Sequence, residues 1–333
     1  MKAFVEKEKV DELREACGTL PSRARRILNY VYYGCERLEV ELIDEPVNPY
    51  RAIFSMATST WGNDAYVDKW YKTQPIDRFR VVLAALQGKT LPMGVEGPKY
   101  TFRVVGLPRH SFDQMARTRI GAAFGSIGSR DNCKLDSSFI LYSEYRNKDA
   151  SLKQQIITHF NEIKLLYSKI IMEGNESWQV ARSFLPMCYH HPFYFNQNLL
   201  SLVMQARRRM CFAEEEFICG LHWYIRDMFK KQGLELIADA MRPACDFAKT
   251  CLYSKGDGAE LFGHLFRGCG RWPAKGENKD YCEFNKSCST AVSLEKQMNI
   301  NIPSPEEYVD FKDTHASYEL YLGKKDKYYF KKI

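Results

Sequence analysis

The chain has 333 residues, 45% of them hydrophobic and 14% aromatic, and a formal net charge of +7. That supplies apolar material for one large core or two modest ones, and no stretch approaches the run of about 18 apolar residues that a membrane-spanning helix needs. The charged, amphipathic start MKAFVEKEKVDELREAC is unlike a secretion signal, so a cytoplasmic protein without membrane partners is expected. The eleven cysteines fit that compartment as reduced thiols, most standing singly in apolar stretches, as at Cys188, Cys211 and Cys219. The positive charge asks for an anionic partner, and because the basic residues are scattered, a phosphorylated small molecule meets that demand as well as a nucleic acid.

In chain order, helices are expected over Val5 to Ala16 and from Ser22 to about Tyr33, where Gly34 ends the second, followed by a polar stretch through Pro46 and Pro49. Helical spacing returns over Tyr66 to Lys72 and Ile76 to Leu86, with Pro75 as a starter and Gly88 as a stop. Tyr100, Phe102 and Val104 alternate within Lys99 to Val105, the period of a strand. Ser111-Phe112-Asp113-Gln114 has the form of a capping box and predicts a helix that carries Gln114, Arg117 and Arg119. Ser151 opens a long amphipathic helix with Ile156, Phe160, Ile163, Tyr167 and Ile170 on one stripe, ending near Gly174-Asn175. A short helix holding Val180, Ala181 and Arg182 stops before Pro186. From the cap Asn198, helical periodicity persists to Lys231, about 50 Å at about 1.5 Å per residue, a length suited to a scaffold or an oligomer interface. After Ala248 the chain turns rich in glycine, cysteine, lysine and tyrosine. It therefore divides into an N-terminal helical extension (1–48), a core (49–245) and a cysteine-rich C-terminal extension (246–333).

Two constellations carry chemistry. The first is Gln114, Arg117, Thr118 and Arg119, followed by the small-residue stretch Gly121 to Ser129 and then Arg130. Residues three apart on a helix share a face, and the glycines let backbone approach a ligand. Guanidinium forks and amides at such a bend suit phosphate or a nucleobase edge; an exposed basic helix with a flexible loop is the plainer alternative. The second is Ala181-Arg182, Leu185-Pro186, Asn198 and Arg207-Arg208-Arg209. Three consecutive arginines fan around a helix, so at least one faces inward and needs an anionic partner, either a bound nucleotide or one of Glu214, Glu215 and Glu216.

Jointly these segments resemble the flavin-dependent thymidylate synthase family, the thymidylate synthase complementing proteins. Its signature is a glutamine, an arginine-histidine-arginine triplet and a serine-containing loop ending in arginine, then alanine-arginine-x-x-leucine-proline, an asparagine, and an arginine deep in a helix. Gln114, Arg117-Thr118-Arg119, Ser129-Arg130, Ala181, Arg182, Leu185, Pro186, Asn198 and Arg209 follow that order and spacing. The resemblance implies an α/β fold with a central sheet and long helices, a homotetramer, and FAD bound where subunits meet. It implies transfer of a one-carbon unit from methylenetetrahydrofolate to C5 of a pyrimidine nucleoside monophosphate, with NADPH reducing the flavin. By the same resemblance Arg117, Thr118, Arg119, Asn198 and, more faintly, Ser55 contact the cofactor. Gln114, Arg130, Arg182 and Arg209 hold the nucleotide. Arg209 and Ser129 are the catalytic candidates, with Arg208 the alternative to Arg209 should the register shift by one. An aimed arginine suits this chemistry, because C5 of a uracil becomes nucleophilic when charge on the ring oxygens is stabilised.

The sequence departs from the family pattern in several places. Thr118 stands for the histidine, Asp131 for the aromatic after the loop arginine, the loop has one extra residue, and no glutamate or asparagine lies near Phe124 and Gly125. The histidines usual before the strand are missing, with Gly88 to Glu96 in their place. Uracil or cytosine, ribose or deoxyribose, and methyl or hydroxymethyl stay open. A nucleotide- or RNA-binding protein that kept the fold without flavin catalysis is the alternative function, and a structural subunit of a nucleotide-modifying assembly a third. Cys245 and Cys251, like Cys282 and Cys288, are spaced C-x5-C, looser than a metal knuckle, and no metal is expected. The adjacent His190 and His191 are expected to pack and hydrogen-bond.

Overall fold

The computed structural model describes residues 31–248 apart from 35, 63–65, 136 and 212–213. In chain order its elements are β1 (Val31–Tyr33), β2 (Glu39–Asp44), α1 (Pro49–Ala57), α2 (Tyr66–Lys72), α3 (Pro75–Leu86), α4 (Met93–Glu96), β3 (Lys99–Val105), α5 (Arg109–Met115), β4 (Ala122–Ser126), β5 (Phe139–Leu141), α6 (Ala150–Met172), α7 (Trp178–Ala181), β6 (Phe193–Asn198), α8 (Leu199–Arg209), α9 (Glu216–Lys231), α10 (Glu235–Ala240) and α11 (Ala244–Ala248). Short 3-10 turns cover Ser143–Asn147 and Arg182–Phe184. None of the described helices is long and apolar enough to cross a membrane.

The centre is an antiparallel sheet in the order β2-β3-β6-β4, with β1 and β5 forming a separate parallel pair. Period-two alternation puts Tyr100, Phe102 and Val104 of β3 and Phe193, Phe195 and Gln197 of β6 on the buried face. Phe102 lies opposite Phe195, and Phe124 opposite Phe195, so three rings stack across three strands at 4.9 and 6.0 Å. Each stacked pair contributes about 0.5–1.5 kcal/mol beyond its burial. Helix α9 covers this ladder through Phe229, whose ring meets Tyr100 edge-on at 5.0 Å. A second, smaller core of Leu135, Tyr167, Ile171, Trp178 and Ala181 lies under α6 and α7.

Several helix readings are corrected. Residues 31–33, expected to end a helix, form β1, and the polar stretch before Pro49 contains β2, an edge of the central sheet. The described part of the expected N-terminal extension thus carries the strands β1 and β2. The helix at 5–16, most of the one from Ser22, and the tail cysteines from Cys251 onward lie outside the described residues. The capping box does not form: α5 starts at Arg109 behind Pro108, and Ser111, buried in its first turn, donates instead to Glu215 Oε1 at 3.1 Å. Because α5 ends at Met115, Arg117 and Arg119 lie beyond it rather than on it. The single 50 Å helix is two helices, α8 and α9, with a break between Arg209 and Glu216. Asn198 caps α8 by accepting from Ser201 N at 2.9 Å, and Glu215 caps α9 by accepting from Ile218 N at 2.9 Å. At α6 the cap is Asp149, two residues before the expected Ser151.

Candidate active site

The segment after α5 is fastened to the start of α8. Asn198 N donates to Gly121 O at 2.8 Å, and Ser201 Oγ donates to Ile120 O at 2.8 Å. Gly121 has φ +67°, and a Cβ there would stand 2.5 Å from Asn198 Oδ1, so both conformation and contact require glycine. Asn198 Oδ1 is engaged as a cap, which leaves its amide NH₂ for another acceptor. Arg117 and Arg119 are exposed, and among the described residues neither has a hydrogen bond or ion pair. Two exposed guanidinium groups on a segment fastened to the start of α8 suit a phosphate-bearing ligand. Ser55 is buried in α1, and its Oγ has no hydrogen-bond partner among the described residues.

The second arginine group gathers at the break after α8. Arg209 is 18% exposed and Arg208 72%, so of this pair Arg209 faces inward, and the Nε of Arg207 is buried as well. Its Nη1 donates to Glu214 Oε2 at 2.7 Å, while Nε and Nη2 have no hydrogen bond among the described residues. The inward arginine therefore has a carboxylate partner and retains donors for another. Behind it, burial and then the Arg209 charge hold the His222 imidazole down to about 4.

Helix α5, which carries Gln114, reaches the start of α9 through Ser111. Ser111, one turn before Gln114, bonds Glu215, the neighbour of Glu214. His110 packs between Tyr142 and Phe217 with ring centroids 5.4 and 5.8 Å away. Glu216 accepts from Ser143 N at 2.8 Å and Ser143 Oγ at 2.7 Å, which fixes the start of α9. Burial is the main cause of a Glu215 carboxyl lifted to about 7, with the Glu216 charge adding to it and its hydrogen bonds opposing. A carboxyl raised from 4.5 to about 7 contributes stability that is complete below 4.5 and is lost as pH rises through 7. Glu215→Gln should therefore lose less stability than the native chain between pH 4.5 and 8. Denaturant unfolding at several pH values checks this, and parallel curves for the two chains would contradict it.

Ser129 is buried in the loop after β4, whereas Arg130 is exposed and has Nε 3.8 Å from Asp131 Oδ1. Arg182 is exposed at the 3-10 turn after α7. Among the described residues no hydrogen bond or ion pair joins Arg130 or Arg182 to Gln114 or Arg209 within one chain. His190 accepts from Gly106 N at 2.9 Å, and His191 Nε2 lies 3.3 Å from Arg109 Nη1, which also carries Asp113 on Nη2 at 2.9 Å. Burial first, and neighbouring cations second, bring these imidazoles to about 4 and about 3, so both are neutral at physiological pH. The residue that sequence reasoning missed is Ser201, which locks the arginine loop together with Gly121; Glu214 stood only as one of three candidate partners for an inward arginine. Ser201 could have been found from its place three residues after the Asn198 cap.

The antiparallel sheet and the buttressing helices form a mixed α/β fold that carries the two arginine clusters. The sequence profile of the thymidylate synthase complementing protein family matches residues 41–232, more than half of the chain, and the chain belongs to that family. Among solved structures it is similar to the UMP/dUMP methylase PolB of Streptomyces cacaoi bound with 5-Br dUMP. The TM-score is 0.52 at 14% identity, over 63% of this chain and 96% of that one, a likeness of fold. It is also similar to the flavin-dependent thymidylate synthase ThyX of Helicobacter pylori complexed with FAD and dUMP, with a TM-score of 0.47, 14% identity, and 61% and 100% covered. None of the curated proteins matches the chain.

Proposed function

We propose that this protein transfers a one-carbon unit from methylenetetrahydrofolate to C5 of a pyrimidine nucleoside monophosphate, using FAD and NADPH, as a cytoplasmic homotetramer. The observation that carries the reading is Arg209, a largely buried guanidinium gripped on one nitrogen and open on the others, at the position that matches the family's nucleotide arginine. PolB, a solved structure of similar fold, is by description a UMP/dUMP methylase.

The residues present fit a flavin nucleotide: Arg117 and Arg119 carry unpaired charge for its phosphates, and Asn198 NH₂ and the Thr118 hydroxyl supply neutral donors. Ser55, with its unpartnered Oγ, joins this set as a further contact. When bound, FAD supplies the redox chemistry, for which the protein has no substitute of its own. Arg209 stabilises negative charge on the pyrimidine ring oxygens, with Gln114 holding the base edge. Arg130 and Arg182 hold the phosphate and so orient the ring. Ser129 completes the loop contact to the nucleotide.

The test is product mass after incubation with each pyrimidine monophosphate, methylenetetrahydrofolate and NADPH, together with the absorption of the purified protein. A yellow protein with a product heavier by one carbon is expected. A colourless protein that binds nucleotide without turnover would favour the non-catalytic nucleotide- or RNA-binding reading, to which Thr118 in the histidine position lends its support. Arg182→Ala should weaken nucleotide binding about 10- to 100-fold with flavin binding retained, since a charge-assisted contact contributes about 1.5–3 kcal/mol. Titration that shows unchanged nucleotide affinity would remove Arg182 from the site.

A further inference from the structure

We propose that Glu214 is the positioning residue that aims Arg209, and that the break between α8 and α9 exists to put it there. This rests on the reading of Arg209 as the residue that meets the pyrimidine. In an uninterrupted helix, residues five apart stand about 140° from each other around the axis, so a carboxylate at 214 would point away from a guanidinium at 209. The chain leaves the helix after Arg209, and Glu214 N donates to Cys211 O at 3.0 Å. Trp223 Nε1 of α9 donates to Met210 O at 3.2 Å and fixes the point where α8 ends. Glu215 caps α9 and is held from α5 by Ser111 Oγ at 3.1 Å. The result is a carboxylate folded back over the last turn of α8, 17% exposed, with Oε2 2.7 Å from Arg209 Nη1 and Oε1 3.6 Å from Arg208 Nε.

The grip on Arg209 is one-sided. Glu214 takes a single terminal nitrogen and leaves Nη2 and Nε for a second acceptor, so the carboxylate holds one end of the guanidinium without occupying all of its donors. Its charge also offsets that of Arg209, which lowers the general pull on anions while the directed hydrogen bonds remain. Removing Glu214 should therefore cost orientation, not attraction. Catalysis and affinity separate as a consequence.

The experiment uses the full chain with deoxyuridine monophosphate (dUMP) as the binding probe and turnover measured with whichever pyrimidine monophosphate the protein converts. In Glu214→Ala, dUMP binding should be unchanged or tighter while kcat falls about 10- to 100-fold, the scale expected of a misaimed group. Glu214→Gln, which keeps an accepting oxygen, should recover most of kcat. In an Arg209→Ala background, Glu214→Ala should add nothing, because it acts through the arginine. Should the alanine variant fail to fold, Glu214→Asp replaces it, since a carboxylate shortened by one carbon must draw the guanidinium out of line and lower kcat. A native kcat in the alanine or aspartate variant, a parallel loss of affinity and turnover, or an undiminished effect in the Arg209→Ala background would each overturn the proposal. If Arg209→Ala itself keeps native turnover and dUMP affinity, the fault lies in the functional reading and not in this pairing.

Discussion

Arg209→Ala should lower turnover about 10²–10³-fold, the cost of removing one aimed donor from a site where charge develops. Arg208→Ala should leave turnover near the native value. The two side chains are adjacent in sequence and share Glu214, yet one is largely buried and the other 72% exposed, so the contrast separates aimed from general charge. Loss of Arg209 leaves the Glu214 carboxylate with Arg208 as a replacement partner 3.6 Å away. The stability cost should therefore stay at about 1 kcal/mol, within the range for partly exposed ion pairs. Steady-state kinetics with thermal unfolding on the same samples checks both halves. Turnover of the Arg209 variant within a few-fold of native, or an Arg208 variant that loses as much, would assign the role elsewhere.

The sequence made one strand plain and hid the rest for identifiable reasons. Lys99 to Val105 alternates large apolar and polar residues because one face of β3 is buried and the other open. In β4 the same alternation is written in Ala122, Ala123, Gly125 and Ser126, residues with little preference for strands, and the pairing with β6 imposes the conformation. Strand β6 ends in Asn196, Gln197 and Asn198, which look like a loop; yet Gln197 is fully buried on the core face and donates to Ser201 Oγ. Tertiary pairing overrides local preference in both. The break between α8 and α9 was hidden by phase: Met210 and Phe217, both fully buried, are seven residues apart, the spacing of two helical turns. Both helices pack on one core, so the apolar stripe runs on through a turn whose only mark is the acidic run Glu214-Glu215-Glu216.

The arginines of the candidate site were legible because they are tied to motif spacing, but their surroundings were not. Nothing in the spacing of Gln114 from Ser111 says that Ser111 gives up its cap to bond Glu215, 104 residues away. The Gly121 contact with Asn198 is equally remote in sequence. Such long-range choices decide whether a basic cluster is a solvated face or a built site, and they depend on which elements the sheet brings side by side. Arg130 shows the limit of this: it is exposed, with Asp131 Oδ1 3.8 Å from its Nε, and its spacing in the motif does not reveal that neighbour's pull.

The final expectation concerns the substrate: conversion of deoxyuridylate to thymidylate should be poor or absent, and a cytidine or ribonucleotide monophosphate should be the better substrate. The loop between Arg119 and Arg130 carries one residue more than the family pattern, and it is anchored at its start by Gly121 and Ile120 on α8. With that end fixed, the extra residue shifts Ser129 and Arg130, and a shift beyond about 0.5 Å exceeds what a catalytic geometry tolerates. Asp131 adds a second pressure, because its Oδ1 lies 3.8 Å from Arg130 Nε and competes with a substrate phosphate for the guanidinium. Both groups are exposed, so the pair alone is weak and a ligand can break it. A substrate that offers the carboxylate a donor, such as an additional ribose hydroxyl or an exocyclic amino group, converts this competitor into a contact. Turnover of deoxyuridylate, uridylate, cytidylate and deoxycytidylate should be measured under identical conditions in the native chain and in Asp131→Tyr. The aromatic substitution should shift preference toward deoxyuridylate, and a native chain that already turns over deoxyuridylate well above the other three would show that the longer loop and Asp131 are neutral.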